Sequence, residues 1–186
     1  VEIVKNIIEK SSTITFVSHM GRPDGKDLKL SLRPVAKKMS EILDKKVHFI
    51  EETYGEKIER QIETSESKIF LLENLRYEKG EIDNDKNFSK QITKPFDSYI
   101  FDAFGAAHRE HASVVSFGEN LKSFQGPLMD KEIKELDKLL SNSKSGYSVL
   151  LGGAKISDKL NLIEKLLPKV ENLMVGGGMC FTLLKA

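Results

Sequence analysis

Short apolar runs alternate with segments of helical periodicity along this chain, and that alternation limits the possible folds more than any other feature. Helical spacing at the start gives way to the run TITFVS, and the same order repeats through VHFIE, IFLLE and SYIFDAF, then SVLLGG and NLMVGGG. Strands that alternate with amphipathic helices are typical of parallel sheets with right-handed crossover connections. The sequence therefore predicts an α/β fold built on a parallel sheet.

The composition argues against several functional classes. The 186 residues carry 29 Lys and Arg against 28 Asp and Glu, a formal net charge of +1. No overall field would therefore attract nucleic acid or an anionic membrane, and any anion site has to be local. The single cysteine, Cys180, cannot form an internal disulfide, and no stretch approaches the ~18 apolar residues of a membrane span. We expect a cytoplasmic protein with no signal peptide, no membrane association and no nucleic-acid partner.

The chain is expected to hold one nearly complete domain and the beginning of another. A glycine and proline junction at residues 125–127 precedes the amphipathic stretch LMDKEIKELDKLL and the linker SNSKSG. We expect residues 1–125 to form the first domain, 126–145 a helix and linker between domains, and 146–186 the start of the second. Because the chain opens in a helix without a preceding strand and stops as another helix begins, we expect truncation at both ends.

Arginine and histidine residues follow three of the predicted strands, at the edge where parallel α/β sheets bind ligands. They are His19 and Arg22 after TITFVS, Arg76 after IFLLE, and Gly105, His108, Arg109 and His111 after SYIFDAF. A guanidinium binds carboxylate or phosphate through paired hydrogen bonds, and helix N-termini at the same edge add partial positive charge. The pattern predicts a site for a small, multiply anionic molecule. For one arginine alone a surface ion pair is the simpler interpretation, and His48, inside a strand, is expected to be structural.

Glycine turns end the last two predicted strands, in LLGGAK and VGGGM. Glycines let backbone amides approach a phosphate closely, and Lys155 and Lys159, four residues apart, can share one face of the following helix. No GxxxxGK[ST] or GxGxxG sequence occurs, which disfavours a Walker A site and a nicotinamide dehydrogenase. The turns by themselves are more typical of ordinary tight turns than of a phosphate site. Cys180 has no base near it in the sequence and is expected to be a small core residue.

Six ordered blocks resemble the signature sequences of the phosphoglycerate kinase family. They are SHMGRPDG, LLENLRYEKGE, FDAFGAAHREHAS, GPLMDKEIKEL, LLGGAKISDKL and GGGMCFTLLK. The resemblance runs through essentially the whole chain, and six blocks in one order are far more specific than any single motif. It implies the fold of that family, a Rossmann-like, three-layer αβα parallel sheet in each of two domains, here truncated at both ends.

The resemblance implies a monomeric glycolytic transferase that moves a phosphoryl group reversibly between 1,3-bisphosphoglycerate and ADP, giving 3-phosphoglycerate and ATP. The implied substrate-binding residues of the first domain are His19, Arg22, Arg76, Gly105, His108 and Arg109. The implied nucleotide-binding residues are Gly152, Gly153, Ala154, Lys155, Lys159, Gly176, Gly177 and Gly178. Lys155 is implied as the strongest transition-state contact, with Lys159 and Arg109 also catalytic, and the lobes are expected to close about the helix near residues 128–140.

Some elements of the family pattern have no counterpart in these residues. They are the opening strand with its Asp and Asn, the Arg placed on the transferring phosphoryl group, and the acidic residue associated with Mg²⁺. We therefore expect Mg²⁺ to arrive with the nucleotide, with its protein ligand outside this chain, and we expect the fragment to lack turnover. A truncated, non-catalytic anion-binding or interaction module stays open as the alternative.

Overall fold

Strands and helices alternate in the computed structural model of the chain, which describes residues 2–10, 13–141, 147–153 and 157–185. The chain divides into two compact units, residues 1–126 and 127–186. The strands of the first unit are β1 Ile14–Phe16, β2 Val47–Ile50, β3 Ile69–Leu72, β4 Ser98–Phe101 and β5 Lys122–Gln125. Its helices are α1 Glu2–Lys10, α2 Arg33–Leu43, α3 Glu56–Thr64, α4 Lys79–Ile82, α5 Lys86–Thr93 and α6 Ser116–Asn120.

The second unit continues the same alternation over a shorter length. Its elements are α7 Pro127–Ser141, β6 Ser148–Leu151, α8 Leu160–Leu166, β7 Asn172–Val175 and α9 Met179–Lys185. The helix expected near the start of this unit is present as α7, whereas residues 142–145 of the expected linker lie outside the described residues. The role of α7 between two domains stays a prediction.

Every strand pairing in the described part of the chain is parallel. In the first unit β3 lies between β1 and β2, and β4 pairs with β5 in a second sheet. In the second unit β6 pairs with β7. The predicted α/β class with parallel strands is confirmed.

Helices cover both faces of the β1–β3–β2 sheet. All four residues of β3 are buried, and successive side chains point to opposite faces. Ile69 and Leu71 join a core cluster with residues of α1 and α2, whereas Phe70 and Leu72 join another with residues of α3 and α5. This is the three-layer arrangement expected for the family fold, and it explains why IFLL reads as one continuous apolar run.

The start of α2 is capped from outside the helix. The sequence favours Ser31 as the N-cap residue. The helix begins at Arg33 with Leu32 in the cap position, and the Ser31 hydroxyl accepts a hydrogen bond from the Arg33 backbone N–H at 3.2 Å. The buried carboxylate of Glu73 accepts hydrogen bonds from the Leu32 backbone N–H at 2.8 Å and the Ser31 hydroxyl at 2.7 Å. A residue directly after β3 therefore satisfies a donor that a helix start leaves without a partner.

Among the described residues, none of the helices combines the length and apolar character needed to cross a bilayer.

Candidate functional site

The basic side chains that follow β1, β3 and β4 lie within electrostatic reach of one another. Burial lowers the pKa of His19, and the positive charges of Arg76, His111 and Arg109 lower it further. Burial is also the main cause that lowers the pKa of Arg76, followed by Arg109, while Arg22 adds a smaller effect. We call the following residues the basic cluster: His19, Arg22, Arg76, His108, Arg109 and His111. The structure thus brings together side chains that the sequence places after three separate strands.

Arg76 is the most buried member of this cluster. It is 7% exposed and lies on the 3-10 turn Leu75–Tyr77 directly after β3. Its Nη1 donates a hydrogen bond to the carbonyl oxygen of Gly21 at 2.7 Å. Its Nε and Nη2 are buried and have no hydrogen-bond partner in the described structure. A buried guanidinium with unsatisfied N–H groups is costly to leave unpaired, and a bound oxyanion would satisfy it.

Asn74 fixes the loop after β1 to the turn that carries Arg76. Its side chain is completely buried, and its Nδ2 donates to the carbonyl oxygens of Met20 at 2.8 Å and Leu30 at 2.9 Å. Its Oδ1 accepts from the backbone N–H groups of Met20 at 3.3 Å and Arg76 at 3.1 Å. The loop that bears His19 is therefore tied to β3 by one side chain with all its polar atoms satisfied.

Glu81 of α4 anchors the segment that carries Arg109 and His111. Its carboxylate is 1% exposed and accepts hydrogen bonds from the Ser113 backbone N–H at 3.0 Å and the Ser113 hydroxyl at 2.6 Å. Its backbone carbonyl accepts from the N–H of Ala112 at 2.9 Å. Burial raises the pKa of Glu81, whereas the Ser113 hydrogen bonds and the charge of Arg76 oppose that rise.

Sequence reasoning assigned no role to Glu73 or Glu81. Acidic residues at strand ends and on helices are usually solvated, and no spacing rule marks the two that are buried. The sequence gives only a weak indication that Glu73 and Asn74 are buried. Both directly follow four consecutive apolar residues, which are typical of a buried strand.

Gly105 lies on the 3-10 turn Phe104–Ala106, in the same segment as Arg109. A Cβ added to Gly105 would meet no atom within 4 Å. Packing in this structure therefore does not require glycine there, and the predicted role of Gly105 in binding substrate stays a prediction.

The two glycine turns of the second unit lie against each other at the ends of β6 and β7. Gly177 has φ +69°, and a Cβ on it would lie 3.0 Å from the carbonyl oxygen of Gly153. The Met179 backbone N–H donates to that same oxygen at 3.1 Å, and the Gly176 N–H donates to the Leu151 carbonyl at 2.8 Å. Position 177 therefore favours glycine, because a side chain there would be strained by the positive φ and its Cβ would press against a backbone oxygen.

Lys159 brings a positive charge to these turns. A Cβ on Gly153 would lie 3.0 Å from Lys159 Nζ, so the ammonium group sits beside the first glycine turn. Glycine backbone and a nearby ammonium are the components of a phosphate cradle. Gly152 and Gly178 are exposed in the same turns, while Ala154 and Lys155 lie outside the described residues. Their predicted roles stay predictions.

Cys180 follows the second turn and is half-buried. Its thiol contacts the carbonyl oxygen of Gly177 at 2.8 Å. Cys180 therefore does not occupy the expected core position: it lies in the first turn of α9, and its short side chain contacts the backbone of the glycine turn before that helix.

The described residues do not fit a protein-held metal site. No group of three or more His, Cys, Asp or Glu side chains is placed to hold a metal ion in the part of the chain that the structure covers. The glycine turns present backbone and an ammonium group, and Mg²⁺ binds carboxylate, phosphate and water oxygens.

A cavity of about 650 Å³ opens at the opposite, amino-terminal edge of the β1–β3–β2 sheet. It is lined by Lys46 and Lys68, which directly precede β2 and β3, and by His48. The helices α2 and α3 end at this edge. Their carboxyl ends carry a partial negative charge, which the nearby lysines complement. His48 Nε2 bonds Gln61 Oε1 at 3.1 Å and its ring meets Phe70 edge-on, as expected for a structural histidine.

Curated proteins with similar sequences are phosphoglycerate kinases. The chain is 44% identical over 185 residues to that of Thermosipho africanus and 42% identical over 184 residues to that of Dictyoglomus turgidum. Each alignment covers 98% of this chain and 46% of the relative. The chain thus spans about half the length of the curated relatives it matches.

Solved structures and a family profile agree with these relatives. The phosphoglycerate kinase of Coxiella burnetii superposes with a TM-score of 0.80 at 34% identity, over 98% of this chain and 46% of the other. That of Pyrococcus horikoshii superposes with a TM-score of 0.83 at 30% identity, over 98% and 48%. The profile described as phosphoglycerate kinase matches residues 1–186. As the six sequence blocks predict, the chain belongs to the phosphoglycerate kinase family.

Proposed function

We propose that the protein containing these residues transfers a phosphoryl group reversibly between 1,3-bisphosphoglycerate and ADP, giving 3-phosphoglycerate and ATP in glycolysis. The observation that supports the proposal is the buried Arg76 guanidinium within the basic cluster, whose Nε and Nη2 have no hydrogen-bond partner in the described part of the chain. On this proposal the protein acts in the cytoplasm as a monomer.

The basic cluster suits phosphoglycerate in both charge and shape. The molecule carries a carboxylate and a phosphate, and guanidinium groups bind both planar and tetrahedral oxyanions through paired hydrogen bonds. Arg22, Arg76 and Arg109 hold the substrate, with His19 and His108 beside them. Because the pKa of His19 is lowered by burial and positive neighbours, the arrival of an anion reverses part of that effect and favours the imidazolium form.

The glycine turns and Lys159 suit the phosphates of a nucleotide. Gly153 and Gly177 bring backbone close together, and Lys159 Nζ lies beside them. Lys155, Gly152, Ala154 and the rest of the glycine run are assigned to the same role by the family resemblance. Mg²⁺ comes with the nucleotide as part of the substrate.

Phosphoryl transfer depends mainly on positioning and on neutralising charge, with little need for a general base. The arginines of the basic cluster neutralise the acceptor, and Lys155, Lys159 and Arg109 neutralise the transferring group. The 186 residues by themselves are proposed to bind phosphoglycerate without turnover.

A direct assay tests this function. Protein expressed from the complete reading frame is incubated with ATP, Mg²⁺ and 3-phosphoglycerate, and formation of 1,3-bisphosphoglycerate is followed in a coupled assay. We expect turnover that requires 3-phosphoglycerate, and a fall in kcat/KM of about 100-fold for Arg109→Gln. The matched control is Arg60→Gln, on the exposed face of α3, which should leave turnover unchanged.

The outcome separates the kinase from the alternative module. Binding of 3-phosphoglycerate with no turnover in the protein from the complete reading frame would replace the kinase with a non-catalytic anion-binding protein. For the 186-residue chain alone, NMR shifts of His19 and His108 on titration with 3-phosphoglycerate test retained binding. No shift at millimolar ligand would exclude it.

A further inference from the structure

The two oxygens of the buried Glu81 carboxylate make different contacts. Oε2 accepts from the backbone N–H of Ser113 at 3.0 Å. Oε1 accepts from the Ser113 hydroxyl at 2.6 Å and also faces Nδ1 of His111 at 3.6 Å. One oxygen thus holds the backbone of the segment, and the other faces a ring of the basic cluster.

We propose that Glu81 is a positioning residue of the phosphoglycerate site, which holds the His111 imidazole in one tautomer and fixes the 109–113 segment against Arg76. The proposal rests on the function proposed above, because it takes the basic cluster as the phosphoglycerate site. Glu81 does not touch substrate in this account. It acts through His111 and through the backbone that carries Arg109.

The tautomer follows from the geometry. Both oxygens of an ionised carboxylate only accept, so a ring nitrogen that faces one of them is favoured as the N–H donor. Nδ1 of His111 therefore carries the proton of the neutral ring, and Nε2 is the nitrogen that titrates. A fixed tautomer holds the ring in one orientation before the ligand arrives, as second-layer carboxylates do for histidines at metal sites.

The anchoring follows from burial. Glu81 is 1% exposed and Ala112 is fully buried, with the Ala112 N–H bonded to the Glu81 carbonyl at 2.9 Å. Tyr99 of β4 donates from its hydroxyl to the Ser113 carbonyl oxygen at 2.6 Å, so this segment is also held from the β4 side. The segment that carries Arg109 and His111 has little freedom to move away from Arg76.

Several charged groups act on His111 besides Glu81 of α4. They are Arg76 on the turn after β3, His19 after β1, and His108 and Arg109 on its own segment. All of these are positive or become positive on protonation. Among the described residues, Glu81 is the acidic group whose carboxylate lies within 4 Å of the ring.

The substitution Glu81→Gln has a defined structural consequence. The Ser113 backbone N–H only donates, so the amide oxygen of the glutamine must take the place of Oε2. The NH₂ group then occupies the place of Oε1, donates to the Ser113 hydroxyl and faces His111 Nδ1. Nδ1 has to accept, and the ring proton moves to Nε2. The side chain keeps its size and its bonds to Ser113.

The test is ¹⁵N NMR of His111 at pH 8.5 in protein expressed from the complete reading frame, where the neutral tautomers have distinct ring-nitrogen shifts. We expect the Nδ1–H tautomer in the unaltered protein and the Nε2–H tautomer in Glu81→Gln. KM for 3-phosphoglycerate should rise about fivefold or more in that variant while KM for ATP stays unchanged. Ser113→Ala, which keeps the carboxylate, should retain the Nδ1–H tautomer.

An Nε2–H tautomer in the unaltered protein overturns the proposal, and this measurement does not need the variant to fold. An unchanged tautomer, or an unchanged KM for 3-phosphoglycerate, in folded Glu81→Gln also overturns it. The tautomer is measured without substrate, so a protein that showed no turnover would refute the proposed kinase activity and leave the NMR result to decide the role of Glu81.

Discussion

Arg76 donates a hydrogen bond from Nη1 to the carbonyl oxygen of Gly21 at 2.7 Å, across 55 residues of sequence. The bond joins the turn after β3 to the loop after β1. Gly21 has φ +66°, a conformation that residues with a Cβ rarely adopt, so the direction of its carbonyl depends on glycine. One guanidinium therefore fixes the loop that carries His19, while two of its nitrogens have no hydrogen-bond partner among the residues that the structure describes.

Asn74→Asp should destabilise the first unit. The change replaces the two donors that reach the carbonyl oxygens of Met20 and Leu30 with an acceptor, which leaves both carbonyls facing a buried carboxylate. We expect the free energy of unfolding in urea to fall by about 3 kcal/mol. Asn120→Asp is the matched control, since Asn120 is exposed and its Nδ2 donates to the Ser89 hydroxyl at 2.8 Å, a group that can also donate to a carboxylate. Equal losses in the two variants would contradict the role given to Asn74.

Sulfate should bind more tightly as the pH falls from about 7.5 to about 5.5. The pKa values of His19 and His111 are lowered in the ligand-free protein, by burial first and by nearby positive charge second. A bound dianion raises both, so binding takes up protons and is favoured by acid. The affinity should rise about tenfold for each unit by which sulfate raises one histidine's pKa.

Sulfate is chosen because its own charge is constant over this range, and calorimetry at fixed ionic strength gives the dissociation constants. The double variant His19→Gln with His111→Gln should lose most of the pH dependence. His48→Gln should keep it, because His48 lines the cavity at the opposite edge of the sheet. Sulfate affinity that does not change with pH would show that these histidines lie outside the anion site.

Gly177→Ala should be markedly more destabilising than Gly152→Ala. The first change puts a side chain at φ +69° with its Cβ 3.0 Å from the Gly153 carbonyl oxygen, whereas a Cβ on Gly152 meets nothing within 4 Å. We expect a loss of about 1–2 kcal/mol for Gly177→Ala and little change for Gly152→Ala, measured by urea unfolding. Similar values for both would mean that the two turns do not approach as closely as the structure has them.

Much of the fold could be predicted because it depends on local pattern. The run at β3 is apolar at every position, and a strand covered on both faces needs that. Ile42 shows the limit: its spacing on α2 predicts an inward side chain, but it is 52% exposed. The apolar stripe of α2 is wider than the part of the helix that the sheet covers. The sequence of a helix does not show how much of its surface the neighbouring sheet will cover.

The basic cluster could be predicted for a topological reason. The carboxyl ends of the parallel strands β1 and β3 share one edge of a sheet, so strand order brings Arg22 and Arg76 together. Arg109 follows β4, which pairs with β5 in a second sheet, and joins them through the packing of the two sheets in one unit. The residues that hold the cluster could not be predicted, because Asn74 and Glu81 act through contacts with distant backbone. Apart from the local bond between Asn74 and the Arg76 N–H, their side-chain hydrogen bonds reach across 32 to 54 residues, and no local pattern encodes such partners.

The central claim is that the Arg76 guanidinium binds phosphoglycerate, and the dissociation constant of 3-phosphoglycerate tests it most directly. Isothermal titration is done on protein expressed from the complete reading frame, with Arg76→Lys and Arg60→Lys compared with the unaltered protein. Lysine keeps the charge but loses the fork of N–H groups, so Arg76→Lys should weaken binding at least about tenfold, while Arg60→Lys leaves it unchanged. Equal affinity in folded Arg76→Lys would contradict the account.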